Sequence, residues 1–283
     1  MRTSDRLAWP YLGGLTFLIA VPAVAALVLA FTEYSGIQPP SFNGFDNFIR
    51  MVGDPFFWNA VRNSFIFVLF FVPLRVVGAA GAALLLHKRS VGAAIGRPIA
   101  YMPTVMPDIA YALLWLWLLN PLYGPLSAAV EAMGFTSPGW LTEPWVTRIA
   151  IAVMSAFQIG EGFVVALAAR RALPPAIYEA AAVDGAKPYF TLTRVTLPLM
   201  APILALLAFR DLILSFQLNF VPALIVTEGG PRLATTFLPL YIYRSAFTYF
   251  RFGYASAVSA ALFAFTVLIV YLQFLLIRRW RRA

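Results

Sequence analysis

Long apolar runs are the feature of this sequence that most constrains its fold. Each run is close to the roughly 20 residues that an α-helix needs to cross the hydrocarbon core of a bilayer. Transmembrane barrel strands are shorter, at about ten residues of alternating polarity, so the runs favour helices. We therefore predict an all-α, polytopic membrane protein with six transmembrane helices. Their approximate bounds are 10–31, 60–86, 98–119, 146–169, 199–226 and 254–277.

The composition supports this class and excludes several kinds of chemistry. Of the 283 residues, 61% are hydrophobic and 12% are charged, whereas a soluble domain carries about twice that charge. The absence of cysteine excludes disulfides and thiolate metal sites, and the single histidine, His87, excludes a histidine metal cluster. The chain also lacks the G-x-x-x-x-G-K-[ST] phosphate loop. We therefore predict no catalytic residues, no metal site and no enzyme activity in this chain.

The distribution of basic residues predicts the orientation in the membrane. Six spans place both termini on one side, whose segments hold thirteen basic residues: Arg2, Arg6, Lys88, Arg89, Arg97, Arg170, Arg171, Lys187, Arg194, Arg278, Arg279, Arg281 and Arg282. The opposite loops hold six: Arg50, Arg62, Arg148, Arg232, Arg244 and Arg251. Because Lys and Arg favour cytoplasmic loops, we predict that both termini are cytoplasmic. The arginine-rich stretches adjoin spans, which favours contact with membrane lipid over nucleic acid.

A polar segment, 170–198, separates the fourth and fifth apolar runs. Pro174-Pro175 suit the first turn of a helix, Gly185 is expected to end that helix, and Pro188 is expected to begin a second short one. One face of the first helix repeats at spacings of three and four, at Ile177, Ala180, Ala181 and Asp184. Because alanines allow close approach, the pattern predicts a helix, turn and helix that dock another protein. An ordinary amphipathic connector is the alternative.

The same segment resembles the EAA loop of the membrane subunits of binding-protein-dependent ABC importers. The pattern of that loop is E-A-A, three residues, G, nine residues and I-x-L-P. The matching residues are Glu179, Ala180, Ala181, Gly185, Val195, Leu197 and Pro198, with Val in place of Ile. The resemblance implies a cytoplasmic coupling helix seated in a cleft of an ATP-hydrolysing subunit. The residues that it implies in ATPase coupling are Glu179, Ala180, Ala181, Asp184, Gly185 and Lys187.

Two loops extend the resemblance to sugar-importer subunits of the maltose and glycerol-phosphate permease kind. They contain Gly44-Phe45-Asp46-Asn47-Phe48, before the second run, and Gly253-Tyr254-Ala255, at the start of the last. The resemblance implies the type I ABC importer permease fold in a bacterial or archaeal cytoplasmic membrane. It also implies a second, different permease subunit, two ATP-binding subunits and an external solute-binding protein. ATP and Mg²⁺ are then expected in the partner subunits, with no cofactor in this chain.

Ionisable residues lie inside the predicted spans. A charge at the bilayer centre costs at least about 2.5–3.5 kcal/mol, so these side chains are expected to pair with one another or to line a wet cavity. A structural network of ion pairs and a polar pathway for the solute both remain open. An anionic group on the solute is a third possibility for the two arginines. The residues concerned are Arg75, Asp108, Glu161, Arg210 and Asp211.

Helical spacing groups these residues with other polar and aromatic side chains. The candidates for the solute pathway are Arg75, Asp108, Tyr111, Trp115, Gln158, Glu161, Arg210, Asp211 and Gln217. Sugar hydroxyls favour carboxylate and amide acceptors, guanidinium donors and flat aromatic surfaces. Helix packing is the alternative interpretation of the aromatic rings.

Three classes of function fit the sequence to different degrees. The leading hypothesis is a permease subunit of an ATP-driven importer of a carbohydrate or related polar solute, coupled to a separate ATPase. An ion-coupled secondary transporter fits the intramembrane charges, but such proteins usually contain internal repeats, and none is evident. A membrane-embedded enzyme is disfavoured because the sequence shows no nucleophile and base pair and no metal-ligand pattern.

Overall fold

The computed structural model describes residues 3–280 and the side chains of residues 9–275. Of the basic residues used to predict the orientation, Arg2, Arg281 and Arg282 lie outside the described residues. The side chains of Arg6, Arg278 and Arg279 lie outside them as well.

Helices make up most of the first half of the described chain. The exception is a short antiparallel ribbon of β1 and β2, in which Thr32 pairs with Phe42 and Glu33 pairs with Ser41. In chain order the elements are α1 (Thr3–Leu15), a π-helical turn (Thr16–Ala20), α2 (Val21–Leu29), β1 (Thr32–Glu33), β2 (Ser41–Phe42), α3 (Asp46–Val52), α4 (Pro55–Leu86), α5 (Val91–Val105), α6 (Asp108–Leu118) and α7 (Pro125–Ala132).

The second half also consists of helices and loops, and π-helical turns extend several of the helices. In chain order the elements are α8 (Pro144–Ala156), α9 (Gly160–Ala172), α10 (Pro175–Val183), α11 (Pro188–Phe190), a π-helical turn (Thr191–Thr196), α12 (Leu197–Leu218), α13 (Phe220–Pro222), a π-helical turn (Ala223–Thr227), α14 (Leu238–Tyr243), a π-helical turn (Arg244–Thr248) and α15 (Phe252–Trp280).

Four helical stretches are long and apolar enough to cross a bilayer. They are Trp9–Leu29, Pro55–Leu86, Pro188–Thr227 and Phe252–Leu275. Two helix pairs, α5 with α6 and α8 with α9, pass the same test together but are bent by 102° and 55°. When each bent pair counts as one span, the described residues contain six spans. The prediction of an all-α polytopic membrane protein is confirmed, with the small ribbon as an addition.

The third span differs from the single helix predicted over 98–119. It begins seven residues earlier, because the Ser90 hydroxyl caps α5 by accepting a hydrogen bond from the Ala93 N–H at 3.2 Å. It then breaks at Met106 and Pro107, whose ψ angles are 136° and 134°. Proline holds the preceding residue in extended backbone and donates no hydrogen bond to a helix. The prediction of one continuous helix was therefore wrong.

The fourth and fifth spans also differ in detail from the predicted 146–169 and 199–226. The fourth is interrupted between α8 and α9, over residues 157–159. The fifth is longer than predicted, because α11 runs through a π-helical turn directly into α12. The short second helix predicted at Pro188 is therefore the first turn of the fifth span. The helical backbone continues from α11 through the π-helical turn into α12, so α11 is not a separate helix.

The chain divides into two compact units, one made of Met1–Val61 with Leu238–Ala283 and the other of Arg62–Phe237. A single transmembrane domain over residues 1–283 stays a prediction. The core of the first unit contains Met51, Phe57, Ala60, Leu238, Tyr254 and Val258. The core of the second contains Ala79, Ala83, Phe163, Ala166, Leu167, Met200 and Leu207. In the second unit these residues come from α4, α9 and α12, whose small side chains allow the helices to pack closely.

In the first unit, the Asn47 side chain fastens the end of the first span. The side chain is buried, and its Nδ2 donates to the carbonyl oxygens of Ala30 and Thr32 at 3.0 and 2.8 Å. The chain passes so close here that a Cβ on Gly253 would lie 2.0 Å from the Thr32 oxygen. Asn47 and Gly253 both belong to the loop motifs that carry the sequence resemblance, and the structure gives each a packing reason.

A second polar cluster in the first unit surrounds Asp54. Its Oδ2 accepts hydrogen bonds from the hydroxyls of Tyr241 and Tyr254, the latter at 2.8 Å, and its Oδ1 accepts one from the Phe56 N–H at 2.8 Å. Burial alone would raise the pKa of Asp54, but the donated hydrogen bonds outweigh it and hold that pKa below 3.8. Burial and the same carboxylate raise the pKa of Tyr241 to about 12.

We predict that Gly253→Ala destabilises the protein by about 1–3 kcal/mol, because the new methyl group would overlap the Thr32 carbonyl oxygen. The measurement is thermal unfolding of the purified protein in detergent. Gly81→Ala is the matched control, since a Cβ at this helical glycine meets nothing within 4 Å. The control is expected to unfold at an equal or higher temperature, and equal losses in the two variants would contradict the packing argument.

We also predict a pH-dependent contribution from Asp54. Because its pKa is lower in the folded state, the carboxylate stabilises the fold above its unfolded-state pKa, and this stabilisation is lost as the pH falls through the folded-state pKa. Asp54→Asn is expected to unfold a few degrees below the wild type at pH 7, with the gap closing below about pH 4. Unfolding midpoints across this pH range measure it, with exposed Glu131→Gln as control. A gap that does not change with pH would refute the prediction.

Candidate functional site

The polar segment 170–198 forms the helix and turn that the sequence predicts. Helix α10 begins with Pro175 at its first turn and is followed by Gly185 in a left-handed conformation, with φ of 73°. The N–H groups of Gly185 and Ala186 donate to the carbonyl oxygens of Ala182 and Ala181 at 3.0 and 2.9 Å. This pair of bonds is a Schellman motif, which explains why glycine ends the helix.

Helix α10 is a surface feature of the second unit. None of its residues is buried, and neighbouring apolar side chains are exposed as well, with Val183 88% and Tyr189 77% accessible. The predicted coupling residues Glu179, Ala180, Ala181, Asp184, Gly185 and Lys187 all lie at or near this surface. Exposed apolar side chains beside small residues are typical of a surface that a partner covers. A role for these residues in coupling stays a prediction.

Ion pairs account for four of the five intramembrane charges. Arg75 on α4 and Asp211 on α12 are both almost fully buried, with 3.7 Å between Nε and Oδ2. Arg210 forms an ion pair with Glu161, at the start of α9, and lies 3.9 Å from Asp211. Two cations and two anions thus neutralise one another across three helices. Arg210 and Glu161 remain accessible, at 33% and 53% of their side-chain surface.

A separate polar cavity of about 220 Å³ lies in the same unit. It is beside the break in the third span, which places Asp108 at the start of α6. Arg75, Glu161, Arg210 and Asp211 are absent from its lining. The lining residues are Asp108, Tyr111, Met154, Ser155, Gln158, Gln217, Leu218, Val221 and Pro222.

The cavity presents hydrogen-bond acceptors. Among the described residues, Asp108 is the intramembrane charge whose side chain makes no ion pair. Gln158 donates through Nε2 to the Pro103 carbonyl oxygen at 3.3 Å, which leaves its Oε1 available. The Tyr111 hydroxyl donates to the Met154 carbonyl oxygen at 2.7 Å. The wall therefore offers the Asp108 carboxylate and the Gln158 amide oxygen as acceptors, together with the amide of Gln217.

Ser155 is a cavity residue that the sequence analysis missed. Its side chain is 3% exposed, and its hydroxyl has no hydrogen-bond partner. Buried hydroxyls are nearly always hydrogen-bonded, so the unpartnered Ser155 oxygen is an exception among the residues that line the cavity. The signal in the sequence was the spacing of three residues from Ser155 to Gln158 within the span predicted over 146–169.

The predicted pathway residues thus separate into two groups. Asp108, Tyr111, Gln158 and Gln217 share the cavity, whereas the paired charges form their own cluster. Trp115 is in neither group, because its ring packs edge to face against Tyr111 and Phe157, with centroids 6.2 and 6.1 Å away. In this structure Trp115 supports the wall of the cavity through Tyr111. A role for any of these residues in solute passage stays a prediction.

Comparisons with known proteins identify the family of this chain. Residues 75–282 match the family described as binding-protein-dependent transport system inner membrane component. The chain is 32% identical to the probable ABC transporter permease protein YesP of Bacillus subtilis (strain 168), over 94% of this chain and 87% of that protein. It is 29% identical to the lactose transport system permease protein LacF of Rhizobium radiobacter, over 96% and 94% of the two chains.

A solved structure shares the fold. It is a bacterial ABC transporter involved in the import of the acidic polysaccharide alginate, matched with a TM-score of 0.85 and 23% identity over 97% of this chain and 94% of that chain. The family match covers well over half of the sequence and includes both α10 and the polar cavity. The chain therefore belongs to the inner membrane components of binding-protein-dependent transport systems, the permease subunits of ABC transporters.

Proposed function

We propose that the chain is the permease subunit of an importer for a carbohydrate or a closely related polyhydroxylated solute. The observation that carries this proposal is the cavity at the break of the third span, whose lining combines a carboxylate, two amides and two hydroxyls. Asp108 contributes the carboxylate, Gln158 and Gln217 the amides, and Tyr111 and Ser155 the hydroxyls. Sugar hydroxyls donate hydrogen bonds to such groups. The lactose permease relative is consistent with this solute class.

The charges favour a solute without a negative group. Arg75 is buried beside Asp211, and Arg210 is paired with Glu161, so neither guanidinium lines the cavity. Among the described residues, the ionisable groups on its wall are Asp108 and the phenol of Tyr111. An anion there would face a carboxylate with no cation to offset it, and like charges at short range repel. We therefore prefer a neutral or amino sugar to the anionic solute considered from the sequence.

The proposed assembly contains four membrane-associated subunits and an external protein. This permease pairs with a second, different permease to form the pathway, two ATP-binding subunits contact the α10 surfaces, and a solute-binding protein delivers the solute. ATP and Mg²⁺ are bound by the ATP-binding subunits. Support comes from the exposed coupling helix, on which no residue is buried, and from membership of a binding-protein-dependent family.

The proposed location is a bacterial or archaeal cytoplasmic membrane with both termini in the cytoplasm. The excess of basic residues on the side of α10 supports this orientation. It places α10 where ATP is available. Membership of the ABC permease family favours ATP-driven import over the ion-coupled alternative.

We predict that the assembled transporter, in proteoliposomes with its binding protein, accumulates neutral polyhydroxylated compounds when ATP is added. The solute is found by offering the small-molecule fraction of a cell extract and identifying the accumulated species by mass spectrometry. Asp108→Asn is expected to lower this uptake about tenfold, because a hydrogen bond to a charged acceptor contributes about 1.5–3 kcal/mol.

Glu131→Gln, which removes an exposed carboxylate outside the cavity, is the control and is expected to transport like the wild type. Accumulation of an amino acid, a peptide or an anion instead of a sugar would refute the proposed solute class.

We predict different effects for substitutions in the accessible ion pair, Arg210 with Glu161, and in the buried pair, Arg75 with Asp211. Glu161→Gln leaves Arg210 accessible and close to Asp211, so the complex is expected to assemble and hydrolyse ATP while uptake falls. Asp211→Asn leaves the buried guanidinium of Arg75 without a carboxylate, which costs about 3–5 kcal/mol, so the complex is expected to accumulate poorly. Yield of the assembled complex, ATP hydrolysis and uptake are measured together. If Glu161→Gln accumulates as poorly as Asp211→Asn, the accessible pair has a structural role only.

A further inference from the structure

Few contacts with the rest of the chain hold the coupling helix α10 in place. None of its nine residues is buried, and it is bounded by Pro174 on one side and by the left-handed Gly185 on the other. A surface helix of this length has little stability of its own. For a push on α10 to move the spans, some side chain of the helix has to be fastened to them.

Tyr178 makes two such contacts, one with each flanking span. Its ring lies under the guanidinium of Arg170, whose Cζ is 4.4 Å from the ring centroid. Its hydroxyl is 3.2 Å from the Oγ1 of Thr196. Arg170 lies in the last turn of α9, and Thr196 is the residue that precedes α12. The ring therefore contacts the end of the fourth span, and the hydroxyl contacts the fifth span at the last residue of its π-helical turn.

Each residue that Tyr178 contacts has buried side-chain atoms, whereas no residue of α10 is buried. Thr196 is 3% exposed, and its hydroxyl is also within 3.2 Å of the Thr191 carbonyl oxygen. The Arg170 Nε is buried and makes no hydrogen bond, so the ring of Tyr178 is the contact that the structure shows for this guanidinium. Among the described residues of α10, Tyr178 is the one whose side chain makes a hydrogen bond or a ring contact with either span.

The two spans held by Tyr178 lead to the polar residues of the second unit. Helix α9 begins beside Glu161, and α12 carries Arg210 and Asp211 and ends with Gln217 and Leu218 on the cavity wall. Helix α12 is continuous from Leu197 to Leu218, so its backbone links the Tyr178 contact to the cavity end. Tyr178 is placed to bias both spans at the ends that face α10.

We propose that Tyr178 is a positioning residue that transmits displacement of α10 to the fourth and fifth spans, through its ring to Arg170 and through its hydroxyl to Thr196. The proposal rests on the proposed function, because it requires α10 to be moved by an ATP-binding partner. A tyrosine suits this task because its rigid ring joins two contacts at opposite ends and has few rotatable bonds. Phenylalanine would keep the first contact and lose the second.

The experiment follows the cavity end of α12 while nucleotide acts at the other end. The chain contains no cysteine, so Gln217→Cys introduces a single thiol on the cavity wall. The assembled complex with this substitution is reconstituted, and the rate of thiol labelling by a small polar maleimide is measured with and without ATP and vanadate. ATP hydrolysis is measured on the same preparation. No knowledge of the solute is needed.

In the otherwise wild-type background, nucleotide is expected to change the labelling rate several-fold. Tyr178→Phe is expected to bring the ratio of the two rates close to one while ATP hydrolysis stays within twofold of the parent. Thr196→Val is expected to do the same, Thr196→Ser to restore the parent ratio, and the double variant Tyr178→Phe with Thr196→Val to be no worse than either single one. Tyr123→Phe is the control, because that tyrosine is exposed in the loop before α7, outside the α10 surface and the cavity lining, and it should keep the parent ratio.

Each other outcome is decisive. If Tyr178→Phe keeps the parent ratio, or if it lowers ATP hydrolysis and the amount of assembled complex in the same proportion as the ratio, Tyr178 does not transmit motion. If Tyr178→Phe does not assemble, the comparison of Thr196→Val with Thr196→Ser decides, since both leave the ring and Arg170 in place. If the parent shows no response to nucleotide, coupling of this chain to an ATPase is refuted, and the role of Tyr178 with it.

Discussion

Hydrocarbon offers no partner to a charge, and this constraint governs the interior of the second unit. Arg75 and Asp211 are nearly inaccessible and face each other, and Arg210 joins this pair to Glu161. The result is an electrically neutral connection between α4, α9 and α12. Removing one member of a buried pair costs far more than the pair contributes, so these helices are bound to keep their relative register. Among the described residues, the lining of the separate cavity contains no cation.

The candidate site is the cavity beside the break in the third span. Pro107 ends α5, and the sharp bend puts Asp108 at the start of the next helix, where a carboxylate is favoured by the helix dipole. The polar end of α6 then meets Gln158 and Gln217 from the fourth and fifth spans. The paired charges and the cavity lining are therefore separate sets of residues.

The coupling segment shows the complementary situation at the surface. Helix α10 has a defined start and stop, through Pro175 and the Schellman motif at Gly185, yet none of its residues is buried. A helix that is well delimited but unburied gains its stability from what it contacts. Tyr178 supplies the contact within the chain, and the exposed side chains beside it are available to a partner.

The sequence by itself determined the class of fold, the number of spans and the coupling segment, because these depend on local properties: run length, proline and glycine positions, and a spaced motif. The sequence showed Asn47 and Gly253 as motif residues, but it did not show why those residues are needed. Asn47 donates to two backbone carbonyl oxygens, and Gly253 lies close to the Thr32 backbone. Only the tertiary structure decided which charges pair, that the third span is bent, that Ser155 lines the cavity, and that Tyr178 contacts two spans. These facts depend on distances between helices that are far apart in sequence, and no local pattern encodes such distances.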